Sequence, residues 1–333
     1  MIVSMPSPSP ALRAAWQRHE RRWAGHLYVY AVVSRRSRGV SVGINLNPGK
    51  ECNFDCAYCQ VDRQIPGPTR RVDLDTLAVE LNAILEAARD GSLYEAPPFD
   101  ALPPGDRAVR DIAFSGDGEP TTFPRFREAV EVAAEARRRF ALDATKLVLI
   151  TDAAYLAKPA VREAIAVLDA NNGEIWAKLD AGTEEYFRRV NRPNVTLQHV
   201  LDNILDAARL RPVVIQSLWM RMDGAPPPEA EVAAYCDRVD ELLANGARLK
   251  ALQLYTIARK PAEPSVSPLT DDEMDLLAGV VRARVPVPVE VYYGVAQAPA
   301  VASATAARAC APARRRSRRR AARTAPRSRR SSS

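Results

Sequence analysis

Val40-Ser41-Val42-Gly43-Ile44-Asn45-Leu46 leads into Cys52-Asn53-Phe54-Asp55-Cys56-Ala57-Tyr58-Cys59, and this passage sets the reading of the whole chain. The first run is strand-like. The second holds three of the five cysteines in eight residues, spaced C-x3-C-x2-C. Scattered by composition, such a spacing would arise about 10⁻³ times in 333 residues. Thiolates are soft ligands, suited to zinc or to an iron–sulfur cluster. Structural zinc normally takes four protein ligands in paired spacings. Here the other candidates, Cys236, Cys310 and three histidines, are distant and form no second pair. Three thiolates with one open position suit a [4Fe–4S] cluster that leaves one iron for an outside ligand. The expected compartment is a reducing cytosol, where a disulfide in this segment is disfavoured. No apolar run reaches membrane length, and Met1 to Pro6 lacks a basic region followed by an apolar one.

Outward from this passage, strands and helices alternate. Residues 8–24 read as a short basic amphipathic helix and 27–33 as a strand. Leu74, Leu77, Leu81, Ile84 and Leu85 share one side of a helix over 74–89. Further strands are expected at 112–114, 146–150, 174–179, 213–219 and 249–255, with helices at 126–140, 159–168, 197–210 and 229–244. A helix at 271–284, capped by Thr270 with Glu273, precedes a last strand candidate at 287–293. Six strands from Val40 to Tyr255 separated by helices imply parallel βαβ units. The expected fold is α/β, a partial (β/α)6 barrel of the TIM type or an open doubly wound sheet. It occupies 27–293, after an N-terminal helical segment at 1–26.

The tail, 294–333, is a separate matter. It is almost wholly Ala, Arg, Pro, Ser and Val, and is expected to be disordered. Arg308 to Arg330 holds 11 Arg and no acid, and the rest of the chain has 36 basic residues against 40 acidic ones. The net charge of +7 therefore describes the tail, and a nucleic-acid argument applies to the tail alone. The alternative is a nonadaptive extension, such as an out-of-frame read of GC-rich DNA.

The cysteine spacing, with the aromatic Tyr58 before the last cysteine, resembles the signature of the radical S-adenosylmethionine (SAM) superfamily. The resemblance covers about residues 40–260. It is strongest to the iron–sulfur oxidoreductase branch with the wyosine-type tRNA-modifying and glycyl-radical-activating enzymes. It implies Cys52, Cys56 and Cys59 as ligands of a [4Fe–4S] cluster whose fourth iron chelates SAM. It also implies reductive cleavage of SAM to methionine and a 5′-deoxyadenosyl radical, with an electron donor such as flavodoxin or ferredoxin. Ser115-Gly116-Asp117-Gly118-Glu119 resembles the family's glycine-glycine-glutamate element, with Asp117 where many members have glycine. Glu119 would then receive the SAM ammonium, and Gly118 would allow close backbone approach. Thr151 stands where relatives contact SAM with Thr/Ser-Asn, although Asp152 departs from that pattern. Lys178 and Asp180 match a Lys/Asp pair used on the SAM carboxylate and ribose. Tyr58, Gly118, Glu119, Thr151, Lys178 and Asp180 are thus the candidate SAM contacts.

Several of these residues have plainer readings. Ser115 to Glu119 suits an ordinary turn, and Lys178 with Asp180 suits a structural ion pair. Period-two alternation puts Ile175, Ala177 and Leu179 on one face, with Trp176, Lys178 and Asp180 on the other. Asn191, Arg192, Pro193, Asn194, Gln216, Gln253, Tyr255, Arg259 and Lys260 are candidates for the substrate side. His199 reads as a surface or packing residue, His19 and His26 carry no signal, and Cys310 is expected to be inert. Cys236, Trp176 and Trp219 read as core. The substrate is open between a tRNA base, a protein site and a small metabolite. Two other readings stand beside the enzyme: a zinc- or cluster-stabilised binding module whose basic tail holds RNA, and an activase acting on a protein partner. No membrane partner is expected.

Overall fold

Strand β1 (Val29–Ser34) turns back through residues 35–38 and pairs antiparallel with β2 (Gly39–Ile44). From β2 onward the sheet is parallel, through β3 (Val109–Phe114), β4 (Lys146–Thr151), β5 (Gly173–Lys178) and β6 (Val213–Leu218). It ends in β8 (Leu249–Tyr255) and β10 (Val289–Tyr292). A separate antiparallel pair joins β7 (Met220–Met222) to β9 (Val266–Pro268). This computed structural model describes residues 9–18 and 23–294.

All six expected parallel strands are present, and the sheet is a curled half-barrel. It gains a strand at each edge: the last candidate joins as β10, and the first joins antiparallel as β1. The parallel strands read as short, largely apolar runs because most of their residues are buried on both faces. Ile112, Leu149, Ile175, Ile215 and Leu252 face outward onto the helices. Ala113, Val148, Trp176, Val214 and Ala251 form a smaller cluster on the inner face. Gly43 lets the Tyr30 ring pack directly on β2, since a Cβ there would lie 2.2 Å from that ring.

The covering helices are α2 (Leu74–Asp90), α3 (Phe126–Arg139), α4 (Pro159–Asp169), α6 (Leu197–Leu210), α7 (Glu229–Ala244) and α8 (Asp271–Arg284). Their ends carry local causes. Asp73 caps α2 by accepting from the Thr76 amide, and Gly91 ends it at φ 92°. Thr270 and Glu273 form the expected reciprocal cap on α8. Buried Glu80 of α2 accepts from the amides of Leu27, Tyr28 and Val29 at 2.7, 2.8 and 3.0 Å, which pins the entry to the edge strand β1.

The expected helix over 8–24 is shorter than expected. Helix α1 covers Pro10–Gln17; Arg18 is extended, and Ala24 and Gly25 turn with φ of 48° and 80°. A second helix, α5 (Glu184–Asn191), was not expected at all. Trp219 is fully buried as expected, in the residue between β6 and β7 rather than inside a strand. Cys236 is buried in α7, and His199 is exposed near the start of α6. His19, Cys310 and the tail beyond Gly294 lie outside the described residues. No helix among the described residues is long and apolar enough to cross a membrane.

Candidate functional site

A cleft of about 300 Å³ opens where the parallel strands end and continues down the inner face of β1 and β2. Cys52, Cys56 and Cys59 all line it, as do Tyr58, Gly118, Glu119, Thr151 and Lys178. The cysteines are free thiols. The loop that carries them is held from below by α5. The amides of Asp55 and Ala57 donate to the carbonyls of Asn191 and Val190 at 3.1 and 2.8 Å. Phe54 pairs with Pro193 as a β-bridge, and its ring meets Phe187 edge-on at 5.6 Å. The helix missed in the sequence is therefore the platform of the cysteine loop.

Two thiols receive donors. Asn191 Nδ2 lies 3.5 Å from Cys56 Sγ, and Arg63 Nη1 lies 3.2 Å from Cys59 Sγ. Burial pushes the Cys52 thiol up to about 11 and the Cys56 thiol up to about 12. As thiolates they therefore require a cationic ligand in the cleft. Among the described residues no three Cys, His, Asp or Glu side chains are grouped to hold one metal ion. That geometry gives no support to the zinc alternative. A cluster takes each thiolate on a different iron, so its ligands share a cavity rather than a point. The three thiols, their donors and the cavity fit such a group.

Glu119 faces the cysteines from the turn after β3, and its carboxylate is densely held. Oε1 accepts from the Thr121 amide (3.1 Å), the Thr121 hydroxyl (2.5 Å) and the Thr151 hydroxyl (2.8 Å). Oε2 accepts from the Asp152 amide at 2.8 Å. Burial raises its pKa against these donors. Asp152, set aside in the sequence as a departure from pattern, lines the same cleft. Burial first, and the Glu119 charge second, push its carboxyl well above the usual range. Its Oδ1 accepts from the Ala154 amide at 2.9 Å, while Oδ2 is buried without a partner. Two neighbouring carboxyls in one cleft, one of them with an unused oxygen, form a receptor for a cation.

The glycines of this turn serve packing. A Cβ on Gly118 would sit 1.8 Å from the carbonyl oxygen of Glu51, and one on Gly116 would sit 2.4 Å from Asn45 Oδ1. The turn can therefore lie flat against residues 45–51 only with glycine at both positions. Asp117 accepts from Asn45 Nδ2 at 2.7 Å, which ties the turn to the end of β2.

Lys178 and Asp180 form an ion pair at 3.3 Å, but only Lys178 lines the cleft. Lys178 lines the cleft beside Trp176, as the alternation implied. Its ammonium donates to the Tyr255 hydroxyl at 2.8 Å and lies 4.8 Å from the centre of the Tyr58 ring. Burial works against its charge, but Asp180 and Tyr255 outweigh that and raise its pKa. Asp180 does not line the cleft. It lies beyond the strand end, 1% exposed, and accepts from Tyr58 Oη (2.5 Å), Asn191 Nδ2 (2.8 Å) and the Leu218 amide (2.9 Å). Asp180 thus stands behind the cleft wall and positions Tyr58 and Lys178, and this geometry neither makes nor tests the expected contact to a ribose. Asn191 to Asn194 likewise lie against the cysteine loop rather than in the cleft. Of the proposed substrate-side residues, Gln216, Tyr255 and Arg259 line the cleft; Gln253 and Lys260 do not. Arg35 and Arg36, on the turn between β1 and β2, line it too and carried no signal in the sequence.

No family model matches the chain. A UPF0026 protein of Methanocaldococcus jannaschii is 29% identical over 177 residues, 53% of this chain and 47% of that one. One from Helicobacter pylori strain J99 is 22% identical over 248 residues, 74% of this chain and 71% of that one. The match spans about half the length of the first two curated relatives. A structure of TYW1 with a lysine–pyruvate adduct bound superposes with a TM-score of 0.50 at 16% identity, covering 83% of this chain and 82% of that one. At that identity the likeness speaks for the fold, the half-barrel.

Proposed function

We propose that this chain, assigned by motif and half-barrel to the radical SAM superfamily, is an enzyme that cleaves SAM reductively at a [4Fe–4S] cluster. One observation carries the reading. The three cysteines of the motif open as free thiols into one cleft, across from a densely held glutamate and a neighbouring aspartate with an unused oxygen. When bound, the cluster supplies the electron that splits SAM into methionine and a 5′-deoxyadenosyl radical, which takes a hydrogen atom from the substrate.

The chain's own residues divide the remaining work. Cys52, Cys56 and Cys59 would hold three irons. Arg63 and Asn191 donate to two of the sulfurs and so stabilise negative charge there. Glu119 and Asp152 would take the ammonium of SAM, and Thr151 orients Glu119 through its hydroxyl. Lys178 presents a charged donor to a carboxylate, while Asp180 and Tyr58 hold it in place. Trp176, Ile150 and Val214 make the inner surface apolar and keep water from a reactive intermediate. An electron donor such as flavodoxin or ferredoxin is part of this reading.

The test is anaerobic reconstitution with iron and sulfide, then dithionite and SAM, with mass-spectrometric detection of 5′-deoxyadenosine. Formation of that product is expected. Zinc near one per chain, with no iron or sulfide taken up, would overturn the reading.

A further inference from the structure

We propose that the wall of this cleft opposite the carboxyls binds an oxyanion of the substrate, a carboxylate or a phosphate, on Arg36 and Arg35. The proposal deepens the reading above and rests on it for the word substrate. It begins with charge. Along the cleft, Asp117, Glu119 and Asp152 gather at the ends of β3 and β4, whereas Arg35 and Arg36 stand on the β1–β2 turn. The acids of the cleft thus gather beside the cysteines, where Arg63 and Lys178 also lie, and Arg35 and Arg36 form a second basic group away from those acids.

The two arginines lack the carboxylate partners that Arg127, Arg192 and Arg221 have. Among the described residues, neither makes an ion pair with a carboxylate. Arg36 sits over two aromatic rings, 5.5 Å from the centre of Trp176 and 5.3 Å from that of Tyr255, and no acceptor among the described residues hydrogen-bonds its guanidinium. Rings offset part of the cost of desolvating a guanidinium, but they leave its five N–H donors unused. Arg35 reaches across the open side of the barrel to the Tyr293 carbonyl, which ties the β1 edge to the β10 edge. Burial and the adjacent Arg36 charge lower Arg35 to about 10, as expected of two cations that share no anion.

Of the carboxylates on the inner face, Asp111 accepts from the Ser41 hydroxyl at 2.5 Å, keeps Oδ2 without a hydrogen bond, and feels the Arg36 charge without forming an ion pair with it. Glu290 accepts from Tyr292 Oη at 2.7 Å and Gln253 Nε2 at 3.0 Å. A second observation points to a ligand independently. Gln216 is 1% exposed and lines the same cleft, yet its Oε1 has no partner while its Nε2 donates to Gln253 at 2.8 Å. An unused buried acceptor beside unused guanidinium donors suits a ligand that carries both an oxyanion and a donor. The Tyr255 ring lies under Arg36, and its hydroxyl meets Lys178, so the arginine site is continuous with the cysteine side. An oxyanion held there would leave the rest of the ligand lying toward the cysteines.

Phenylglyoxal labelling of the full chain, mapped by peptide mass spectrometry, tests this. The probes are inorganic phosphate and malonate, with chloride at matched ionic strength to remove general screening. At least one probe is expected to slow labelling of Arg35 and Arg36 about fivefold or more, saturably, where chloride does not. Protection by phosphate alone identifies a phosphate ligand, and by malonate alone a carboxylate. Arg36→Gln should abolish the protection seen at Arg35, and Arg36→Lys should restore part of it. If neither probe protects beyond chloride, or if Arg36→Gln keeps full protection, the proposal falls. Should Arg36→Gln fail to fold, the wild-type protection decides alone. 5′-Deoxyadenosine formation by the same wild-type preparation separates the two readings. SAM cleavage without anion protection sinks the arginine site only. Anion protection without cluster uptake sinks the radical reading and leaves an oxyanion site.

Discussion

The two walls of the cleft differ in how their polar groups are satisfied. On the cysteine side the central acid is answered by the chain itself, since Glu119 accepts four hydrogen bonds, and the unpartnered oxygen beside it belongs to Asp152. On the β1–β2 side the Arg36 guanidinium has only ring contacts and Gln216 Oε1 has no partner, while Arg35 donates to a backbone carbonyl alone. A prebuilt wall holds its geometry before any ligand arrives, as catalysis by orientation needs. An unsatisfied wall leaves its donors free for a ligand and pays in apo stability. On the proposed reading, the difference separates the part of the site that performs the chemistry from the part that selects what it acts on.

The largest expected effect breaks the prebuilt wall at its metal ligands. Cys56→Ala is expected to lose nearly all iron and sulfide uptake on reconstitution, measured per chain. Full retention of both would remove Cys56 from the ligand set. Next is Glu119→Ala, which strands the Thr121 and Thr151 hydroxyls and the Asp152 amide. It should cost about 2–3 kcal/mol in urea unfolding and weaken SAM binding about tenfold. Glu119→Gln keeps an acceptor and should lose less of both. An unchanged unfolding midpoint in the alanine variant would show that this wall does not depend on Glu119.

A subtler experiment uses pH. Burial raises the Asp152 carboxyl in the folded chain. Below about pH 4 folded and unfolded states both keep the proton. Above it the unfolded chain ionises first, the folded chain binds more protons, and stability falls as pH rises until Asp152 ionises as well. Asp152→Asn should remove that contribution, about one proton's worth of slope in unfolding free energy against pH. Identical slopes in the two proteins would mean that Asp152 is ionised in the folded chain already.

Much of this was legible in the sequence, and what was not has physical causes. The strands from β2 to β8 showed because buried parallel strands are apolar runs with turns between them. The alternation along β5 placed Trp176 and Lys178 inside the barrel correctly, but it failed at Asp180, where the chain has left the strand and period two no longer holds. Helix α5 was missed because it has only eight residues, four of them charged, so its short apolar face, Tyr186, Phe187 and Val190, shows no clear period although it packs into the core beneath the cysteine loop. Arg35 and Arg36 were invisible because a basic pair in a hairpin turn normally faces water. Only the curl of the sheet, which brings β1 near β10, turns them inward. Asp152 was discounted because it broke a family pattern, and its place beside Glu119 emerges only when β3 and β4 are set side by side.

The smallest effect is expected far from either wall. Residues 295–333 carry 11 Arg and no acid, more than the whole net charge of +7, and every residue named in either wall precedes them. Deleting them should leave urea unfolding within about 0.5 kcal/mol and SAM cleavage unchanged. Their removal should nonetheless abolish salt-sensitive RNA retention if the full chain shows any, since the remaining residues are net acidic. A large loss of stability on deletion would mean that the tail packs on the barrel. Loss of SAM cleavage with stability intact would tie the tail to the prebuilt wall, and the division of labour between the two walls would then have to include a third participant.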